Sequence, residues 1–466
     1  MHVPTIWIGT LFAVLCLATL HQRLSLTIAP DACNPQLIFE YENTIRTFRN
    51  AVKGCLLTGD YMKCAPYTIE TLLLLAYIEH YQSEDSKIEV WMLLGITSRL
   101  AFRMGYHREA SLFSHISSFR AEMRRRKWAL MYQLDVMTSF QYGLPRMISN
   151  TQSIDTTEPR NLLDGDFSED TTILPQSRPS TEVTPVQYVL LRNRLLSVFG
   201  SIFDLTTSTV LPLHSKVVEL DTVLRDTYEA FPPIWHLRMS SDLIVDNPST
   251  LIAQIRLLLV YHKAQCVLHR RHLLLARTDV RYIVSRDLCI TAALEIIELH
   301  AFVSHEIEPG QRLYDYRWKA ASLIKQEFLL STTILCSELN DWNGQAIPAR
   351  ACQKSTETVP ITKIVDALSY AYPIWLAASS VSWEAHRVTQ VLRHVLGRVH
   401  NPSSAPIVFS NSSIEEDFFS GAQVSINIES FVQQHIMPAW WPSDIENFGH
   451  SGQPATNASE VVSTSD

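Results

Sequence analysis

Apolar residues recur at three- and four-residue spacing along most of the chain, the period of a helix that buries one face. The spacing predicts helices over 67–81, over 88–104, with Gly105 suited to closing it, and over 119–143, where Phe119, Met123, Leu130, Leu134 and Met137 form the buried stripe. It stops at 150–185, where Pro159, Pro175, Pro179 and Pro185 stand among Asp155, Glu158, Asp164, Asp166, Glu169, Asp170 and Glu182. Proline at that density breaks helices, so a long connection or subdomain boundary is expected there. Helical spacing resumes over 186–205, 216–231, 251–276, 285–305 and 314–339, and a second loop at 340–360 precedes further helices ending near 397–400. A short helix fits 425–437, and 449–466, without an aromatic residue, is expected to be disordered. The pattern is that of an all-α protein with an N-terminal helical part at 1–149, an acidic proline-rich connection at 150–185, a C-terminal helical part at 186–400 and a polar tail at 401–466. No internal repeat at a solenoid period is found.

Residues 6–20 carry no charge and could pass for a signal peptide or anchor. No Lys or Arg precedes the run, no small-x-small cleavage site follows it, and it falls short of the roughly 20 residues that span a bilayer. A central core helix, apolar all round, is the expectation.

Composition narrows the chemistry. With 39 Lys and Arg against 47 Asp and Glu, a formal charge of −8, the chain has no global positive field for gripping phosphates. Only 14 of its 466 residues are glycine, which disfavours a turn-rich β sandwich or barrel. No G-x-G occurs, so the dinucleotide fingerprint and the G-x-S-x-G nucleophile elbow are both absent. Gly54 and Gly59 have the P-loop spacing, but Asp60 and Tyr61 follow where Lys and a hydroxyl are needed. The eight cysteines contain no C-x-x-C and read as reduced thiols of an intracellular protein.

Four constellations could carry chemistry. His262, Cys266 and His269 share one face of the helix at 251–276, but their order matches no metal motif, and a structural role is expected. The acidic run 164–170 lacks the glycine and glutamate positions of a Ca²⁺ loop and reads as a solvated loop. Arg120, Arg124, Arg125, Arg126 and Lys127 would point to different sides of a helix, and Glu122 can pair with Arg126 one turn on, so internal pairing is expected in place of phosphate tracking. The segments 414–419 and 437–448, with Trp440, Trp441 and Phe448 among acidic residues, could act as an activation segment or dock onto their own domain. H-E-x-x-H and D-D-x-x-D are missing, and no catalytic residue, cofactor site or metal site is predicted.

Residues 91–108 (WMLLGITSRLAFRMGYHR) strongly resemble a segment of the fungal-specific transcription factor domain, the regulatory middle homology region of fungal zinc-cluster regulators. So do 119–130 (FRAEMRRRKWAL), Leu134-Asp135, Ser139 and 143–148 (GLPRMI), followed by a similar loop at 155–167. The resemblance covers roughly residues 4–340 and rests on Gly95, Arg99, Gly105, His107, Arg124, Arg125, Arg126, Trp128, Asp135, Gly143 and Pro145 as structural or regulatory positions. It places 7–20 in the first helix of the domain and implies that the arginine run does not read DNA. Asp135 is expected to be the buried partner of an arginine.

The family further implies a nuclear transcription factor of a metabolic pathway or biosynthetic gene cluster. Its partners would be the transcription machinery, a second copy or a DNA-binding partner protein, and a small-molecule effector. No membrane and no direct DNA contact are expected of this chain. Full-length family members bind zinc through six cysteines beginning C-x2-C-x6-C, a motif this sequence lacks. The expectation is a truncated product or an incomplete reading of its gene, with a regulator that acts without its own DNA reader as the alternative.

Overall fold

A computed structural model describes residues 3–27, 34–82, 88–149, 153–208, 212–238, 247–321, 325–342 and 359–400. The short helix expected at 425–437, the disorder expected at 449–466, the acidic-aromatic segment and most of the loop at 340–360 lie outside them. Among the described residues the chain is all-α, as the spacing predicts. The helices are α1 (Thr5–Thr27), α2 (Pro35–Thr58), α3 (Thr68–Tyr81), α4 (Ile88–Arg103), α5 (Ser118–Tyr142), α6 (Pro185–Thr206), α7 (His214–Glu229), α8 (Pro248–His269), α9 (His272–Leu275), α10 (Ile283–Glu306), α11 (Arg317–Ala321), α12 (Lys325–Trp342), α13 (Ile361–Ala378) and α14 (Trp383–His400).

Short polar-proline steps start several of them. The Asn34 side chain accepts from the Gln36 N–H, with Pro35 in the first turn of α2; Thr184 and Pro185 do the same for α6, and Asn247 and Pro248 for α8. Each cap satisfies a backbone donor that the first helical turn leaves unpaired, and proline there forfeits nothing because its missing N–H would have had no partner.

Consecutive helices pack in a chain of neighbours, α1 on α2 and α3, α3 on α4, α4 on α5, α5 on α6, then α6, α8, α10 and α12 in succession, with α13 and α14 closing on α12. Two hydrophobic cores result. One gathers Cys16, Val52, Ile69, Leu72, Ile78 and Leu100 with Trp128, Met131 and Ile148; the other gathers Val136, Phe199, Val217, Trp235, Leu257, Ile290, Leu335 and Trp375. Helix α5 feeds both, Trp128 and Met131 entering the first and Val136 the second. Among the described residues three helices are long and apolar enough to cross a membrane by length and composition: α8 buries most of that surface in the second core and α10 about half, whereas α1, longer than the uncharged run 6–20 implied, leaves most of its surface uncovered.

The structure departs from the sequence reading in several places. Helix α2, capped and presenting Ile45, Val52 and Leu56 to the core, lies where no helix was assigned. The helix expected over 251–276 ends at His269 and restarts as α9. Helix α1 is not buried all round: Ile6, Ala13, Cys16 and Leu20 face the core, while Trp7, Leu11, Val14 and Leu15 are exposed.

Candidate functional site

Helices α4 and α5 both end in a left-handed glycine. Gly105 (φ +71°) lets the Tyr106 N–H reach back to the Ala101 carbonyl at 3.0 Å, and Gly143 (φ +65°) lets the Leu144 N–H reach Ser139 at 2.9 Å, the doubled-back closure that glycine permits without steric cost. The first reversal aims the loop at 106–113 along the polar face of α5, where the arginine run lies.

Three arginines of that run find partners within the domain, whereas Arg120 is exposed with no side-chain partner among the described residues. Arg124 donates to the Met104 carbonyl at 2.6 Å and covers the Tyr106 ring at 4.3 Å, satisfying the end of α4. Arg125 donates through Nε to Glu109 at 3.2 Å and through Nη1 to Glu122 at 3.4 Å. Arg126 donates to Glu122 at 3.3 Å, to Asp164 at 2.7 Å and to the Leu162 carbonyl at 2.8 Å. Lys127 pairs with Glu70 of α3. Glu122, inaccessible to solvent, also accepts the Arg160 N–H at 3.1 Å. Burial would raise the Glu109 carboxyl, but hydrogen bonds from Arg125, from the Thr157 N–H and hydroxyl and from the Ser111 N–H hold it well below the usual carboxylate range.

These contacts bind the proline-rich connection to the helices. Asp155 and Thr156 donate their N–H groups to the His107 carbonyl, and Arg108 donates to Asp155 at 3.1 Å. Asn161, Leu162 and Phe167 are buried. The acidic run is met by arginines: Asp164 by Arg126, and Asp166 by Arg178 through two bonds of 2.7 Å, which with the Leu163 N–H hold Asp166 down to about 2.

Asp135 corrects an expectation. It is buried, but its oxygens accept the Met147 and Ile148 N–H groups at 3.0 and 2.8 Å, and its partner is backbone where an arginine was expected. Burial pushes its carboxyl upward against those bonds and the nearby charge of Arg146. Arg146 pairs with Asp204 of α6 (Nε to Oδ1, 3.0 Å) and lies flat over Gly200, where a Cβ would sit 2.6 Å from Nη1. Among the other resemblance positions, Trp128 is buried edge-on against Phe102, and the Pro145 carbonyl accepts from Ser139 at 3.4 Å. Arg99 is exposed with no hydrogen-bond or ion-pair partner among the described residues, and nothing lies within 4 Å of a Cβ added at Gly95.

The α8 triad does not converge. His262 bonds Gln265 at 3.2 Å, Cys266 reaches the Cys289 carbonyl at 3.9 Å, and His269 meets Asp221 at 3.3 Å. Burial holds His262 down to about 4. Among the described residues no group of three or more His, Cys, Asp and Glu side chains could hold a metal ion, and the described cysteines are free thiols. Sequence reasoning missed the buried Lys263–Glu327 pair, 2.9 Å, which joins α8 to α12 beneath Phe140; a lysine inside an apolar run was its only sign.

It missed a cavity as well. About 910 Å³ opens between α5, the segment at 148–159, α6 and the end of α7, walled by Trp128, Tyr132, Ile154, Val198 and Phe231, with Asn193, Arg194 and Glu158 among its polar groups. Its residues come from elements of both cores.

Residues 60–231 match the family described as fungal specific transcription factor domain. Among curated relatives, the Zn(2)-C6 fungal-type transcription factor pigI of Monascus ruber is 46% identical over 444 residues, 95% of this chain and 53% of its own length. The Zn(2)-C6 fungal-type transcription factor mpsB of Macrophomina phaseolina (strain MS6) is 40% identical over 92% of the chain and 56% of its own length. The equisetin cluster transcription factor eqxF of Fusarium heterosporum is 35% identical over 86% and 56%. The chain thus spans about half the length of the curated relatives it matches. No solved structure matches.

Proposed function

From the fungal specific transcription factor domain that residues 60–231 carry, we propose that this chain is the regulatory part of a nuclear transcription factor controlling RNA polymerase II transcription of a biosynthetic gene cluster. The observation that carries the reading is 46% identity over 95% of the chain to a Zn(2)-C6 transcription factor, with a cluster regulator among the further relatives. The described part works as a helical scaffold: Arg124, Arg125 and Arg126 are held by carboxylates and carbonyls of the same domain, which leaves them unsuited to phosphate and favours structural roles for the resemblance positions. The relatives' names imply zinc for the family, but the donors here do not fit a six-cysteine cluster, since no C-x-x-C pair exists and the described thiols are free and scattered. DNA selection would come from a zinc-bearing segment or a DNA-binding partner protein.

In this reading the helical domain holds or releases the acidic-aromatic segments at 414–419 and 437–448 for the transcription machinery, and a small molecule lodged between helices biases that choice. It is regulation and involves no catalysis. Deleting the gene in its source fungus and measuring all transcripts tests it: one contiguous set of biosynthetic genes is expected to change together, with a fluorescent fusion of the protein in the nucleus. Unchanged transcripts, or a fusion held outside the nucleus, would sink it.

A further inference from the structure

The cavity between α5, α6 and the end of α7 has a lining that selects among ligands. Its body is apolar and aromatic, with Trp128, Tyr132 and Phe231 on facing elements, and its volume of about 910 Å³ suits a molecule of several fused or linked rings. Three charged side chains line it, Arg125, Arg194 and Glu158, whereas Glu109 and Glu122, the carboxylates that hold Arg125, do not. Arg125 has its donors committed to those two residues. Arg194 does not: it makes one contact, Nη2 to Glu158 at 3.2 Å, with both side chains about half exposed at 51% and 52%. An exposed pair of that kind contributes roughly 0–1 kcal/mol, so a ligand anion can replace Glu158 at little loss and use the guanidinium's two parallel donors. Beside it, Asn193 accepts from Gln133 through Oδ1 at 2.7 Å, which leaves its amide N–H groups to donate.

We propose that this cavity binds a small organic acid with a ring-built apolar body, its acidic group on Arg194 and Asn193 at the mouth and its rings between Trp128, Tyr132 and Phe231. The inference rests on the reading of the domain as one that answers a small molecule, and gives that molecule its chemical class. Occupancy has a consequence beyond binding. Trp128 belongs to the first core and Phe231 to the second, so a ligand wedged between them favours the arrangement in which the two halves are packed together.

The test uses the whole 466-residue chain and two probes that share a ring system, 8-anilinonaphthalene-1-sulfonate and its uncharged counterpart N-phenyl-1-naphthylamine, titrated by fluorescence. The wild type is expected to bind the sulfonate saturably at one site and more tightly than the neutral amine. Arg194→Ala weakens the sulfonate about tenfold while leaving the amine within about twofold, and Val198→Trp, which fills the cavity, weakens both by more than about tenfold. Unfolding midpoints confirm that the variants fold; if Val198→Trp does not, Arg194→Glu, judged by the ratio of the two affinities, takes its place. Absence of saturable binding overturns the proposal. So does an Arg194→Ala variant that binds both probes like the wild type, or a folded Val198→Trp variant that still binds both, since the probes would then sit elsewhere, such as on the exposed face of α1. Probe binding and the transcript changes on gene deletion are read separately, so either can fail while the other stands.

Discussion

Glu122 is the residue on which the polar face of α5 turns. It is wholly buried and receives Arg125, Arg126 and the Arg160 N–H; in Glu122→Ala, Arg125 keeps Glu109 and Arg126 keeps Asp164 and the Leu162 carbonyl, but the Arg160 N–H and one donor of each guanidinium lose their acceptor. Leaving buried donors without an acceptor costs about 1–3 kcal/mol, and urea unfolding of the variant is expected to show a loss of that order. Only part of this arrangement was legible in the sequence. The Glu122–Arg126 contact follows from one helical turn, but Glu109–Arg125 and Asp164–Arg126 join residues whose nearness depends on how the connection folds back, and Asp135 chose backbone N–H groups that no side-chain pattern encodes. A second residue carries a pH dependence. His272 is fully buried with neither ring nitrogen hydrogen-bonded, and burial, then the neighbouring His269, His214 and Arg271, push it down to about 4 from 6.5. The folded state keeps the ring neutral while the unfolded chain takes up a proton below 6.5, so this contribution is complete above 6.5 and is lost as pH falls toward 4, at no more than about 1.4 kcal/mol per pH unit. His272→Phe, which keeps the stacking on Tyr282, is expected to flatten that acid limb in denaturation measured from pH 7 to 4.

At the scale of elements, helices α3 to α6 could be read from spacing because a polar flank, a glycine or a proline marks their ends. Helix α1 could not, since an uncharged run records how apolar a segment is and says nothing of how many neighbours it has; among the described residues its packing comes mainly from α2 and α3. Helix α8 ends at His269 although the apolar spacing runs on, and the interruption is slight: Arg270 and Arg271 keep right-handed helical dihedrals, and Arg270 is buried, which pushes it down to about 10. The end of α5 gives a sharper test. Gly143 holds φ +65° while the Leu144 N–H returns to Ser139, whose hydroxyl donates to the Pro145 carbonyl. Gly143→Ala keeps every side chain and forces a Cβ into the left-handed region, so a loss of about 1 kcal/mol is expected, read as a lowered midpoint in thermal unfolding. An unchanged midpoint would mean that the closure of α5 adapts freely.

At the scale of the molecule, the connection at 150–185 divides the sequence without dividing the structure. In the chain it looks like a boundary between helical parts at 1–149 and 186–400. In space it lies along α5, bonded through Asp155, Arg160 and Asp164, while α5 itself sends Trp128 and Met131 into one core and Val136 into the other. A helix shared in this way cannot satisfy one core without the second, so loss of either exposes the other's apolar face to water. The two halves are therefore expected to unfold together. Two probes of the unaltered chain can follow this: urea curves read by tryptophan fluorescence and by far-ultraviolet circular dichroism should share one midpoint and slope within about 10–15%. The fragment 1–149, made alone, should lack a cooperative transition, since Val136 and the partly buried Tyr132 and Phe140 would lose the α6 and α8 surfaces that cover them. Two separated midpoints, or a fragment that melts cooperatively by itself, would show instead that the halves are independent domains and that α5 belongs to the first alone. The coincident outcome carries a functional consequence: a ligand in the cavity at the seam would stabilise both cores at once, because there would be only one folding equilibrium for it to act on.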